Sequence, residues 1–215
     1  MRIFIVLVFS FISCNPPTLN KESQKIVKQE LDDLKVKRVT DDMLIDEAQT
    51  VGRKIAKTSQ EALSKELMHA FQERGLEEAI RYCNLQAIPI VDSLSEKYDA
   101  QIRRVSMKTR NPENIPDDQE KKILNEILQT AEVGSNIQEE KVIIFEKEIL
   151  YTKPILITNS FCLNCHGTPG KEIQETNYKT LKELYPDDQA TGYSVGDLRG
   201  MWSIRISKSA LIKAM

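Results

Sequence analysis

Cysteine and histidine are scarce, with four Cys and two His in 215 residues. That excludes a disulfide-stapled scaffold. Each of Cys14, Cys83, Cys162, Cys165, His69 and His166 therefore matters by position. Glycine and proline, at eight each, are too few for a collagen-like or low-complexity chain. An excess of one charge is also missing. Thirty basic residues face 32 acidic ones, so no sustained basic field exists to hold a polyanion and no nucleic-acid partner is expected. What remains, 40% hydrophobic and 29% charged, is the composition of an ordinary globular protein with one medium-sized core.

Long apolar runs are lacking except at the start. Ile3 to Ile12 is nearly continuous and apolar behind Met1-Arg2, yet far short of the roughly 20 residues that span a bilayer. It reads as an export signal. The run ends in Phe11-Ile12-Ser13-Cys14, which resembles a bacterial lipobox, so Cys14 is expected to be the lipidated first residue of the mature chain. The alternatives are a plain secretory signal or an uncleaved anchor with an incidental Cys. Asn15-Pro16-Pro17-Thr18 breaks regular structure and suits a tether to the membrane surface.

From Lys21 to about Gly75 the chain is nearly free of breakers, and Leu44, Ala48, Val51 and Ile55, then Leu63, Leu67, Ala70 and Phe71, recur at helical spacing. A second helix over Leu76 to Ile90, kinked near Pro89, would put Cys83 on its apolar face. Gln101 to Lys108 alternates like a strand. Arg110 to Asp118 reads as a proline-stiffened loop, and Asp118 to Val133 as a helix capped by Asp117 or Asp118. Val142 to Phe145 and Ile149 to Ile157 read as paired strands, Glu172 to Tyr185 as a helical piece and Met201 to Ser207 as a last strand. Helices first, then a small mostly antiparallel sheet, predict an α+β domain.

Cys162-Leu163-Asn164-Cys165-His166 matches C-x-x-C-H, the attachment signature of c-type haem. In a chain this poor in Cys and His, chance assembly has a probability on the order of one in a thousand. Two thiols at this spacing reach the two vinyl groups on one porphyrin edge, and the adjacent imidazole is then held beneath the iron. Cys162 and Cys165 would be the covalent anchors and His166 an axial ligand. Two other chemistries use the same residues. A C-x-x-C thiol redox site needs a thioredoxin-like βαβ context, whereas here Gly167-Thr168-Pro169-Gly170 follows directly. A structural zinc could take Cys83, Cys162, Cys165 and His166, although the adjacent Cys165 and His166 would have to turn toward one ion together.

Lipid and thioethers would account for three cysteines and leave Cys83 as an odd thiol in an oxidising compartment. It is either an inert small hydrophobe or a thiolate giving the iron its second axial ligand. His69, off the apolar stripe, competes for that role, and Met107 and Met201 compete more weakly. Arg103, Arg104, Arg110 and Lys153 are the cations placed to face haem propionates, and Arg110 is the preferred one. Gly192, Gly196 and Gly200 punctuate a loop without a phosphate-binding pattern and need only turn geometry.

Several segments together resemble the single-haem, PAS-like c-type sensor family first described in cyanobacteria. They are Gly75 to Cys83, Arg110 to Asn114, Tyr151 to Pro154 leading into Cys162 to Gly167, and Thr191-Gly192-Tyr193 through Gly196 to Gly200. The likeness covers roughly residues 45–208. It implies a PAS-like small antiparallel sheet beside a long amino-terminal helical region. It also implies haem c on Cys162, Cys165 and His166, with Cys83 as the other axial ligand. Family domains are viewed as redox or gas sensors, often fused to signalling modules, and this chain has no kinase or cyclase part.

The expected organisation is a signal peptide over residues 1–13, a tether and helical segment over 14–40, and the haem c domain over 41–215. The expected protein is an envelope lipoprotein facing the periplasm on the inner or outer membrane. It would sense a redox change or a diatomic gas and work with a redox or signalling protein partner. The rivals are a tethered electron-transfer cytochrome and a zinc module. No acid, base and nucleophile constellation points to an enzyme.

Overall fold

Thr40 starts the helix that organises this fold. Its hydroxyl accepts from the Met43 N–H at 3.3 Å, and Asp41 and Asp42 complement the helix dipole in the first turn of α2, Asp41–Tyr98. The computed structural model describes residues 20–36, 39–132, 137 and 139–215, so the expected leader and Cys14 lie outside the described residues. The chain divides into two compact units, one ending at Val39 and the other Thr40–Met215. The first contains α1, Lys21–Val36, begun by Asn20, whose side-chain oxygen accepts from the Ser23 N–H at 2.7 Å. The helical region expected up to Gly75 is therefore two helices. Among the described residues, no helix is long and apolar enough to cross a membrane.

Within α2 the dihedrals leave the helical region at Gly75 (φ 80°, ψ 177°), and the helix continues through Pro89 to Tyr98. The interruption thus falls at glycine, which tolerates positive φ. It matches the boundary expected between a helical region ending near Gly75 and a second helix from Leu76, while the kink also expected near Pro89 is not where the dihedrals leave the helix. Asp99 in the left-handed region, with its N–H on Glu96 O and Ser95 O, ends the helix.

The second unit is built on a four-stranded antiparallel sheet in the order β1-β4-β3-β2. Its strands are β1 (Ala100–Val105), β2 (Lys141–Ile144), β3 (Glu148–Leu156) and β4 (Leu198–Ser207). Successive side chains alternate faces. Leu150 and Met201 meet Ile123, Leu124 and Ile127 of α3, Asp118–Glu132, on one face. On the other face Tyr151 lies against Gly52 of α2, where a Cβ would sit 2.3 Å from the ring. Leu44, Ala48, Gly52, Ile55, Ala56 and Ser59 form the buried stripe of α2 that lets the helix approach this closely. Both faces being covered explains the continuous burial of Ile149 to Thr152. α3 opens with a capping box in which Asp117 and Glu120 exchange backbone-to-carboxylate bonds at 2.8 Å each, so Asp117 is the cap.

Two helices escaped the sequence reading. One is α6, Lys208–Ala214, capped by the Ser207 hydroxyl accepting from the Ala210 N–H at 3.1 Å. The other is α4, Ser160–His166, which carries the cysteine motif and precedes α5, Glu175–Leu184. The α+β, PAS-like class is as expected from sequence.

Candidate functional site

α4 forms because Asn159, in extended conformation, accepts from the Phe161 N–H at 3.0 Å and fixes the first turn. It stops at Gly167, whose N–H reaches Leu163 O at 2.8 Å. A Cβ at Gly167 would lie 2.7 Å from Leu163 O and 2.6 Å from Glu172 Cβ, so only glycine lets the chain leave directly after His166. On this helical turn Cys162 and Cys165, three apart, share one face. Cys165 packs beside Ile80, Ile173 and Leu181, and Cys162 beside Ile157, Ala190 and Tyr193. Phe161 meets Phe71 edge-on at 5.2 Å. α2 thus flanks the motif with Phe71 before its break at Gly75 and Ile80 after it.

His166 has a defined tautomer. Its Nδ1 lies 2.8 Å from the Ala190 carbonyl, which can only accept, so Nδ1 carries the proton. Burial first, then the Arg199 and Arg110 guanidiniums, hold its pKa well below the usual imidazole value. The ring is neutral at physiological pH, and Nε2 keeps a free lone pair for a metal. Tyr193 stands edge-on to the ring at 6.2 Å.

The acceptor that orients His166 is itself braced. Asp188 accepts from the Ala190 N–H at 2.8 Å, and the Arg110 guanidinium pairs with it at 3.1 Å, the Asp188 side chain being 0% exposed. Arg110 Nη2 also donates to Cys165 O at 2.5 Å and to Ala190 O at 3.3 Å. The Gly192 and Tyr193 N–H groups reach Gly167 O and His166 O at 2.8 and 2.9 Å. Arg110, read from sequence as a cofactor contact, here spends Nε and Nη2 tying the end of α4 to the loop after α5. Asp188, Ala190, Tyr193 and Arg199 were not singled out individually from sequence. Ala190 acts through a backbone carbonyl, and its side-chain identity leaves no signal.

Cys83 is half-buried on α2. Burial pushes its thiol pKa up, while the Arg104 guanidinium pulls it down. Burial also pushes the Cys165 thiol up to about 11, opposed by Arg110 and reinforced by Cys83, so Cys83 faces the region of the motif. Its competitors lie elsewhere. His69 is exposed with Nε2 3.3 Å from Glu73, Met201 is buried in the core under α3, and Met107 is exposed rather than in the core.

The rival chemistries lack their frames. The sheet is antiparallel throughout, so α4 has no βαβ setting. Among the described residues, no three or more Cys, His, Asp and Glu side chains converge as a metal cage, which a zinc on Cys83, Cys162, Cys165 and His166 would require. Two thiols on one helical face beside a neutral imidazole with free Nε2 do fit the donor set of a c-type haem.

A family model described as Tll0287-like matches residues 33–207. The chain belongs to the Tll0287-like family. Among solved structures, it is similar to the crystal structure of the cyanobacterial heme-protein Tll0287, at 23% identity and a TM-score of 0.52, covering 74% of this chain and 96% of that one. Membership and likeness agree on the fold, a four-stranded antiparallel sheet beside a long helix. No curated protein matches the chain.

Proposed function

We propose that this member of the Tll0287-like family is an exported, lipid-anchored c-type haem protein that senses a redox change or a diatomic gas. The observation that carries the haem reading is the Nδ1 bond of His166 to Ala190 O, which fixes a neutral ring with Nε2 free one residue beyond two thiols on a helical turn. The name of the solved relative as a heme-protein supports the same reading.

Haem c would supply a one-electron iron centre there. Cys162 and Cys165 would hold it, one thioether each to its two vinyl groups. His166 would offer its Nε2 lone pair, and the braced Ala190 carbonyl keeps the ring from rotating. Cys83, on α2, would be the second sulfur donor; burial raises its thiol pKa, and the Arg104 charge acts against that rise. Cys83 would be the exchangeable donor of the proposed switch. Attachment of c-type haem outside the cytoplasmic membrane accords with the expected export signal.

Periplasmic expression, haem staining after denaturing electrophoresis and a pyridine haemochrome spectrum test the reading. The full chain is expected to stain, and Cys162→Ala with Cys165→Ala is expected to abolish the stain. A double variant that still stains overturns it. Displacement of a ligand by CO or NO supports sensing, whereas fast electron exchange without displacement supports an electron carrier.

A further inference from the structure

Three guanidiniums gather beside His166, and one carboxylate answers them. Arg104, opposite Trp202 in the β1–β4 register, stacks on that ring at 5.9 Å. Among the described residues it makes no hydrogen bond or ion pair. Arg199, three residues before Trp202 on β4, donates from Nη1 to Lys108 O at 3.2 Å, while its buried Nε–H has no partner. Arg110 is paired with the buried Asp188. All three depress the His166 pKa, and Arg199 is lowered to about 10, by burial first and then partly by Arg110 and Arg104.

Asp188 pairs with Arg110, and among the described residues neither Arg104 nor Arg199 has a carboxylate partner. Guanidiniums with unspent N–H donors there are suited to carboxylates, which they bind through two parallel bonds. The neighbouring cations are already committed. Arg103 is on Glu120 at 3.1 Å, Lys153 on Glu140 at 3.2 Å and Lys108 on Thr191 O at 2.7 Å.

Resting on the haem reading, we propose that Arg104 and Arg199 are the seat of the two haem propionates, the dianion that balances this cluster, with Arg110 as the brace. The sequence had favoured Arg110 for the propionates.

The test uses the full chain matured in the periplasm, carrying R104Q, R199Q or both, and reads haem staining, the propionate-bending bands in resonance Raman and the midpoint potential. The variants are expected to stain, since Cys162 and Cys165 are untouched. Each single substitution is expected to shift a propionate band, and the double to shift both. The potential is expected to fall, because a lost cation favours the ferric state. R104K and R199K, which keep the charge and lose the fork, are expected to restore the potential while leaving the bands shifted. They also carry the test if the Gln variants fail to fold. Staining variants whose propionate bands stay at wild-type positions overturn the assignment with the haem reading intact. Absence of stain in the unmodified chain overturns the haem reading and this assignment with it.

Discussion

Replacing Asp188 with Asn removes one negative charge and keeps the shape of the side chain. The Asn oxygen can still accept from the Ala190 N–H, now at 2.8 Å, but it no longer neutralises Arg110, whose side chain is only 14% exposed. Breaking a buried pair from one side costs about 3–5 kcal/mol, because the other charge is left unmatched. Arg110 keeps Cys165 O and Ala190 O as acceptors, which places Asp188→Asn near the lower end, about 3 kcal/mol. In a protein of this size that corresponds to a Tm lower by roughly 6–12 °C. Far-UV circular dichroism melts and urea titrations of the matured protein read it. The ferric spectrum should also broaden, because the Ala190 carbonyl that orients His166 loses its brace. In a double-mutant cycle with Arg110→Met, the double variant should be clearly more stable than the two single losses summed. A loss within about 0.5 kcal/mol of zero, the range of ordinary surface substitutions, or simple additivity in the cycle, would refute the brace.

Cys83→Ser and Cys83→Met should keep the haem stain but change the ferric spectrum and raise the midpoint potential, since an anionic sulfur stabilises the ferric state. Wild-type values in both would make Cys83 a packing residue. Gly52→Ala would put a Cβ 2.3 Å from the Tyr151 ring and should cost at least about 1–3 kcal/mol in urea titrations. An unchanged midpoint would mean that the helix is not seated on the sheet as described. Cys14→Ala should release a foldable protein from the membrane fraction in detergent-free lysates, because lipid supplies the anchoring free energy. Continued retention would point to an uncleaved anchor.

Elements with strong periodicity were legible in the sequence. The stripe Leu44, Ala48, Ile55 is buried in α2, and the paired strands Val142 to Phe145 and Ile149 to Ile157 are β2 and β3 to within a residue or two at their ends. Shorter elements were not, because seven residues are too few to show a period. α4 and α6 depend on the caps Asn159 and Ser207, whose effect is realised only when the flanking chain is extended. The break at Gly75 was legible as the boundary between the two expected helices, whereas α2 runs through Pro89, where a kink was also expected.

For the site, the sequence by itself determined the chemistry. The order Cys162, Cys165, His166 is a covalent fact, and the spacing that brings two thiols and an imidazole to one edge is local. Tertiary structure decided everything that depends on distant groups meeting. It chose the His166 tautomer through Ala190, 24 residues on, and tied Arg110 to Asp188, 78 residues on. It also left Arg104 and Arg199 with donors to spare while committing Arg103 and Lys153 to Glu120 and Glu140. Which cation remains free, and which ring nitrogen keeps its lone pair, is set by pairing and burial among residues far apart in the chain, and no sequence period records those pairings.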